Sequence, residues 1–290
     1  MNKFSSLVTF CILGLLGCLT GCGNDPEPRT GLLFASGNNL LTQNQAVTGG
    51  QVYAASLYAQ TGEENPFTRF RIIRTYDGTD SITYLDSTLN TTEFGLYFNF
   101  GTRSFVGNET WRFVITDQNN TEYSRRFTLT TSTGNTAAKP FNTYSSYFYK
   151  NSALDNLQYF SLRDGTVYPG FIGRNNAAVK DFVDFYFDQD AAKVISVNPV
   201  ASANTQFKPS SLTPAAYNEI VTLDALQTAY TTNSNAPVSV IQNLIKNQVI
   251  AFNTNSRSGL IRINSINRVF DAAKQDSVLI RMTYDIKATK

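Results

Sequence analysis

The sequence predicts a mainly β protein in which a β-sandwich is followed by an α+β domain, behind an N-terminal signal segment. Three observations lead to this prediction. Short segments that alternate apolar and polar residues recur between residues 31 and 131. The second half mixes such segments with a helix-start signal at Thr213-Pro214. The first 21 residues hold an apolar run behind a single charge at Lys3.

The N-terminal run is a targeting segment. Its apolar stretch, residues 7–16, is shorter than the roughly 20 residues that cross a bilayer core. Residues 19–22 read Leu-Thr-Gly-Cys, and this ending resembles a bacterial lipoprotein signal. The resemblance implies that residues 1–21 are removed and that Cys22, whose thiolate is the nucleophile, receives the lipid.

Two alternatives remain open at this signal. Residues 15–18, Leu-Leu-Gly-Cys, offer a second register with Cys18 as the lipidated residue, and an ordinary cleaved signal is also possible. Cys22 is preferred because the polar, proline-containing tether of residues 22–30 begins there. In similar lipoproteins an aspartate after the cysteine favours the inner membrane; Gly23 in that place implies the outer membrane.

Composition excludes several kinds of chemistry. The chain has no histidine, which excludes Ser-His-Asp and Cys-His catalysis and histidine-bound metals. Its three cysteines all lie in the signal, so the mature chain has no thiol for a disulfide or a zinc-thiolate site. The net charge is +2 with no basic cluster, so nucleic acid is not an expected partner.

The first half, residues 31–131, predicts a β-sandwich. Alternating residues of one parity, nearly all of them apolar, mark three strands: Phe70, Ile72, Arg74 and Tyr76; Phe94, Leu96, Phe98 and Phe100; and Trp111, Phe113 and Ile115. A turn at residues 117–120 leads into another alternating segment that ends at Leu129, which predicts a hairpin over residues 111–129. Strands at this spacing, with no helix between them, favour a sandwich.

The second half follows a breaker-rich interdomain linker, residues 132–142, and spans residues 143–290. An apolar run at 182–187 predicts a buried strand, and closing strands are expected at 249–253, 260–266 and 278–287. Thr213 as N-cap and Pro214 as first residue predict a helix with Tyr217, Ile220 and Val221 on one side. A second short helix is expected at residues 240–246. These elements make the half α+β.

Short patterns along the mature chain carry a family resemblance. They are residues 65–74, Gly107, 111–117, 164–168, 183–187, 249–252, 259–263 and 284–287. On these residues the chain resembles a two-domain lipoprotein of Bacteroidetes-type bacteria, an immunoglobulin-like β-sandwich followed by an α+β domain of unknown function. The resemblance implies a fold and no activity, since none of these patterns is catalytic.

The resemblance also implies modification sites. Such bacteria attach O-linked glycans at Asp-Ser or Asp-Thr followed by a small or apolar residue. Ser81, Ser87 and Ser277 match this pattern. A turn or a solvated strand position explains each of them equally well.

An acidic group is the one candidate for metal ligation. Ca²⁺ needs six to eight oxygen ligands, and four aspartates cluster near residue 185. Strand alternation separates Asp181 from Asp184 and leaves Asp188 and Asp190 as a turn pair. The set lacks the glycine and the glutamate of an EF-hand loop, so a solvated turn is the default interpretation and no metal or cofactor is expected.

Two further groups of side chains allow alternative interpretations. Aromatic residues near the start of the second half form either core or a stacking platform for a sugar or partner: Tyr144, Tyr147, Phe148, Tyr149, Tyr159 and Phe160. Arginines on neighbouring strands are interpreted as a solvent face: Arg69, Arg71, Arg74, Arg125 and Arg126.

Together these features predict a non-catalytic lipoprotein anchored in the outer membrane by its N-terminal lipid, acting as a structural or interaction module of the cell envelope. Its expected partners are the membrane and an envelope protein or glycan. The alternative is a surface glycan-binding component or a histidine-free glycan hydrolase, which would need two facing carboxylates. The sequence contains neither a serine nucleophile elbow nor a phosphate-binding glycine loop.

Overall fold

The computed structural model describes residues 30–38, 40–62, 64–150, 157–170, 183–270 and 278–290, without the side chains of residues 80, 268–270, 278 and 279. Within these ranges the protein is mainly β, which confirms the predicted fold class at that level. The predicted lipidation site Cys22, its alternative Cys18 and the glycosylation candidate Ser277 lie outside the described residues. No helix in the described ranges is long and apolar enough to span a bilayer.

The first half forms two sheets. Its strands are β1 (Gly31–Phe34), β2 (Gln45–Val47), β3 (Val52–Gln60), β4 (Phe67–Tyr76), β5 (Asp80–Thr91), β6 (Glu93–Gly101), β7 (Gly107–Asp117) and β8 (Glu122–Thr131). One sheet has the order β1-β3-β6 and the other β2-β8-β7-β4-β5. The sheets enclose a core that draws buried residues from both.

Two-residue alternation builds this core. Trp111, Phe113 and Ile115 of β7 are fully buried, while Arg112 between them is exposed. The predicted hairpin is confirmed, because β7 and β8 pair antiparallel with Trp111 opposite Phe127. Asn120 in the connecting turn has φ 63°, a left-handed conformation that asparagine tolerates.

The second half forms one large sheet. Its strands are β9 (Asn142–Lys150), β10 (Leu157–Ser161), β11 (Thr166–Pro169), β12 (Phe185–Gln189), β13 (Ile195–Pro199), β14 (Gln206–Pro209), β15 (Val249–Asn253), β16 (Ser258–Phe270) and β17 (Val278–Ala288). Eight follow the order β13-β12-β10-β9-β17-β16-β15-β14, and β11 pairs with β10. The closing strands stand where the sequence predicts them. Ile280, Met282, Tyr284 and Ile286 of β17 are all buried as expected.

The large sheet curls until its two outer strands nearly meet. Residues 238–241 bridge them, with Val238 paired to Phe207 of β14 and Ile241 paired to Val197 of β13. The prediction of a helix at residues 240–246 is therefore wrong. Ile241 and Leu244 have helical spacing, but both are buried against strand edges, and Asn243 has a φ of 56° that interrupts a helix.

Two short α-helices, α1 (Pro214–Glu219) and α2 (Leu223–Thr231), and a 3₁₀ helix at Ala201–Ala203 lie in the described second half. The predicted start of α1 is confirmed, because the Thr213 hydroxyl accepts the Ala216 N–H at 3.2 Å. The helix ends earlier than the apolar pattern indicates, at Glu219, and Val221 is exposed. The Lys287 side chain caps the C-terminus of α1, because its Nζ donates to the carbonyls of Tyr217 and Ile220 at 2.6 and 2.7 Å.

The two halves share buried surface. Tyr159, Tyr168, Val183 and Val200 of the second half belong to the core between the first-half sheets. Glycine allows the first half to approach closely at residue 165, where φ is 67° and an added Cβ would lie 2.7 Å from the Ser104 side chain. The segment that joins the halves is itself fixed, since the Asn135 side chain bonds the Thr143 backbone at both N–H and C=O.

A buried ion pair lies where the halves meet. Arg74 of β4 is fully buried, and its Nη2 lies 2.7 Å from Oδ2 of Asp164 in the turn between β10 and β11. The Tyr168 hydroxyl accepts from Arg74 and donates to Asp164 at 2.5 Å, and the Tyr76 hydroxyl donates to Asp164 at 3.0 Å. The Arg74 guanidinium also lies 5.3 Å from the Trp111 ring.

This burial corrects the interpretation of Arg74 as a solvent-face residue. Its parity with Phe70 and Ile72 already places it inside, and a buried partner from the other half makes the charge tolerable. Arg69 does face solvent, where it pairs with Asp86, whereas Arg71 is half-buried and pairs with Glu122. Arg125 and Arg126 are also exposed, as the sequence predicts.

Replacing Arg74 with Met should cost about 3–5 kcal/mol of unfolding free energy, because Asp164 keeps its buried charge without a cation. Guanidinium unfolding, followed by fluorescence of the single tryptophan, Trp111, and by circular dichroism, measures the loss. Arg69→Met, in the exposed pair on the same strand, is the control and should cost far less. Equal losses in the two variants would contradict the account of Arg74.

Candidate functional site

An open cleft of about 910 Å³ runs between the two halves and is the candidate functional site. Its lining comes from both halves: Asn38, Leu40, Leu41, Gln45, Val52, Tyr53, Ala54, Tyr97, Asn99, Tyr147, Tyr149, Leu157 and Arg281. Four of these side chains are tyrosines and three are carboxamides. None of the described lining residues is an aspartate or a glutamate.

Strand pairing builds the wall that the first half contributes. Leu40 bridges to Ala54 of β3, and Ala54 pairs with Asn99 of β6, which sets the three residues in a row across the sheet. Tyr97 lies two residues before Asn99 and therefore points to the same face. It is 53% exposed, which is uncommon for a tyrosine in a strand that otherwise builds core.

The wall of the second half is built in the same way. Leu157 of β10, Tyr149 of β9 and Arg281 of β17 are paired in one row, and the Arg281 guanidinium lies 5.7 Å from the centre of the Tyr149 ring. Tyr147 lies on the same face of β9, and its hydroxyl donates to Oε1 of Gln51 at 2.9 Å. That bond joins the two walls, so the width of the cleft is fixed by the fold.

The six aromatic residues that the sequence predicts as either core or stacking platform fall into two groups in the structure. Tyr144, Phe148, Tyr159 and Phe160 are buried, as the core interpretation predicts. Only Tyr147 and Tyr149 reach the cleft, where both are half-buried.

Sequence reasoning missed the residues that face them, Tyr53, Tyr97 and Arg281. One signal was present for Tyr97, because it stands at an outward position between the inward-pointing Leu96 and Phe98. No such signal marks Tyr53, which shares its face with core residues and reaches the cleft only because it stands at the beginning of β3.

The aspartates proposed as metal ligands lie elsewhere and have protein partners. Asp188 pairs with Lys150 at 2.7 Å and accepts from the Gln158 side chain at 3.1 Å. Asp190 Oδ1 accepts the Val194 N–H at 2.8 Å in the turn between β12 and β13. Within the described residues no group of three or more His, Cys, Asp or Glu side chains is arranged to hold a metal ion. Asp181 lies outside them.

Two glycosylation candidates can be placed, both on β5 at the edge of its sheet. Ser81 is exposed, and its hydroxyl lies 2.8 Å from that of Thr75. Ser87 is half-buried, next to Asp86, which Arg69 holds with two hydrogen bonds. Of the two, Ser81 is the more accessible hydroxyl.

Two buried carboxylic acids outside the cleft lining, Glu109 and Asp184, have raised pKa values. Burial raises the pKa of Glu109, although Arg74, the Arg103 N–H and the Trp111 indole all act to lower it. Burial also raises the pKa of Asp184 to about 6, against a hydrogen bond of 2.6 Å from the Leu162 N–H and the charge of Arg257.

Comparison with known proteins leaves the family of this chain open. No family model matches it, and no curated protein matches it. Among solved structures, a superoxide reductase (neelaredoxin) from Ignicoccus hospitalis is 6% identical with a TM-score of 0.26, covering 36% of this chain and 82% of its own. The sporulation control protein Spo0M from Bacillus subtilis is 8% identical with a TM-score of 0.25, covering 88% and 90%. Both scores are too low to support a common fold or function.

Asp184 predicts a pH dependence of stability. Because its folded pKa lies above the ordinary value, the folded state holds the proton more tightly than the unfolded state does. Its contribution is greatest below about pH 4 and declines by about 3 kcal/mol as the pH rises to about 6. Asp184→Asn cannot ionise and keeps the Leu162 bond, so it should match the wild type near pH 4 and exceed it above pH 6.

Urea unfolding of both proteins between about pH 2 and pH 7 measures this difference. Asp86→Asn is the control of opposite sign. The hydrogen bond from Arg69 lowers the pKa of Asp86, so its stabilising contribution is present at neutral pH and disappears in acid. A constant difference between Asp184→Asn and the wild type across the range would refute the prediction.

Proposed function

We propose that this chain is a non-catalytic lipoprotein, anchored to the outer membrane through Cys22, that works as a binding module with the cleft between its halves as the ligand site. The observation that carries the proposal is the lining of the cleft. Tyr53, Tyr97, Tyr147 and Tyr149 surround it together with carboxamide side chains. The membrane location follows from the signal-like residues 1–22.

The chemistry of the lining favours a glycan as ligand. A tyrosine offers a flat apolar ring with a polar hydroxyl, which suits the apolar face and polar rim of a sugar ring. Asn38, Gln45 and Asn99 each offer both a hydrogen-bond donor and an acceptor, as sugar hydroxyls require. A volume of about 910 Å³ lies within the usual range of small-ligand sites.

Binding is proposed in preference to hydrolysis because of where the carboxylates lie. Glycoside hydrolysis needs two carboxylates flanking the bond that breaks. The described lining residues supply none, and Glu109 and Asp164 are buried at the junction with Arg74.

The first half supports the proposal of an immunoglobulin-like sandwich. Its chain crosses between the sheet β1-β3-β6 and the sheet β2-β8-β7-β4-β5 from β3 to β4, from β5 to β6 and from β6 to β7, and such crossings are typical of Greek-key sandwiches. We propose membership of the two-domain Bacteroidetes-type lipoproteins on the same ground, since their first domain is an immunoglobulin-like sandwich. In such a protein Ser81, the exposed candidate, is the more favourable glycosylation site.

A second candidate function is a structural spacer of the envelope, and the rigid junction favours it. A shared core and a buried ion pair hold the halves in one arrangement, which a rigid spacer requires. The two candidates differ in whether the cleft binds anything.

Tyr97→Ala and Tyr147→Ala should each weaken binding to a saccharide about two- to tenfold, since an aromatic contact contributes about 0.5–1.5 kcal/mol. A glycan array with the mature protein identifies the saccharide, and isothermal titration calorimetry measures each variant. Tyr58→Ala is the matched control. Tyr58 is also exposed, at 42%, on the same small sheet, but it lies outside the cleft lining. The absence of saccharide binding would favour the spacer, and an equal loss at Tyr58 would place the binding site outside the cleft.

Cys22→Ser should release the protein from the membrane fraction and abolish incorporation of labelled palmitate, because the thiolate is the group that is lipidated. Cys18→Ser is the control and should leave both unchanged. Fractionation of cells that express each variant makes the measurement. Release by Cys18→Ser alone would move the lipid to Cys18.

A further inference from the structure

Arg281 is the one charged side chain among the described residues that line the cleft. It is exposed, and within the described chain no carboxylate lies within ion-pair distance of it. Asp285 lies four residues after Arg281 on the same face of β17. It pairs with Arg262 at 2.5 Å and accepts a hydrogen bond from the Ser145 hydroxyl. Asp188, the acidic partner of Lys150 at the end of β9, is likewise engaged.

The surroundings of Arg281 leave its hydrogen-bonding groups available. Its described contact is a cation–π contact with the Tyr149 ring, 5.7 Å from the ring centre, and no described residue accepts a hydrogen bond from its five N–H donors. Those donors match the planar geometry of a carboxylate or the oxygens of a sulfate ester. Tyr147, on the same face of β9, stands beside the charge as a stacking surface.

We propose that the cleft selects an acidic saccharide, whose ring stacks on Tyr147 and Tyr149 and whose anionic group, a carboxylate or a sulfate ester, binds Arg281. This inference rests on the proposed glycan-binding function and names the chemical class of its ligand. A neutral sugar would leave the cation in the cleft without a partner, whereas an acidic sugar forms charge-assisted hydrogen bonds there.

Two matched pairs of probes test the proposal and separate the two anionic groups. Oligogalacturonate is compared with its methyl ester, which keeps the skeleton and removes the carboxylate charge. Oligosaccharides of a sulfated galactan are compared with their desulfated form. Isothermal titration calorimetry with the mature protein should show about tenfold or tighter binding of at least one acidic form over its neutral partner, and less preference at high salt.

Variants then locate the preference. Arg281→Gln should bring the acidic and neutral forms to within about twofold of each other, because the ionic contact with the acidic form is lost. Arg126→Gln is the matched control. Arg126 is also an exposed strand arginine, but it lies on β8 in the five-stranded sheet of the first half. Its replacement should leave the preference for the acidic form intact.

The outcomes separate this inference from the function on which it rests. Equal binding of the acidic and neutral forms by the wild type, or an acidic preference that survives in Arg281→Gln, would overturn the role of Arg281 and leave the glycan site standing. If no probe pair and no saccharide on the array binds, the glycan-binding function falls and the inference falls with it.

Discussion

The buried pair of Arg74 and Asp164 is the interaction on which the arrangement of this protein depends. The arginine belongs to a strand of the first half, the aspartate to a turn of the second, and 90 positions of sequence separate them. Neither charge would be stable in the interior alone, because a buried ion costs several kcal/mol unless it is paired and hydrogen-bonded. Each half therefore supplies the counter-ion for the buried charge of the other. The hydroxyls of Tyr76 and Tyr168 donate further hydrogen bonds to the aspartate.

The cleft is a consequence of that fixed junction. Its tyrosines come from β3 and β6 on one side and from β9 on the other, so a change in the angle between the halves would separate them. The bond from Tyr147 to Gln51 lies across the same boundary. A site that is formed before its ligand arrives loses less entropy on binding than one that the ligand must assemble.

Local patterns in the sequence predict several of the strands but predict the site poorly. Alternation locates β4, β6, β7 and β17 because one face of each strand is buried. The spacing of Ile241 and Leu244 misleads, since a segment that bridges two strand edges and a short helix can bury the same two residues. Arg74 and Arg281 are harder still. The burial of one and the exposure of the other are set by neighbours distant in sequence, and a local pattern contains no information about them.

The pairing order of the large sheet also constrains how the protein forms. β17, residues 278–288, lies in the middle of that sheet between β9 and β16. Contacts between segments so far apart in sequence are slow to form, because a long loop must close first. When the chain emerges N-terminus first, β9 must wait for β17 with its edge unpaired, and an unpaired edge readily joins another chain. The second half is therefore the part of this protein that most needs protection from neighbouring chains until its last strand arrives.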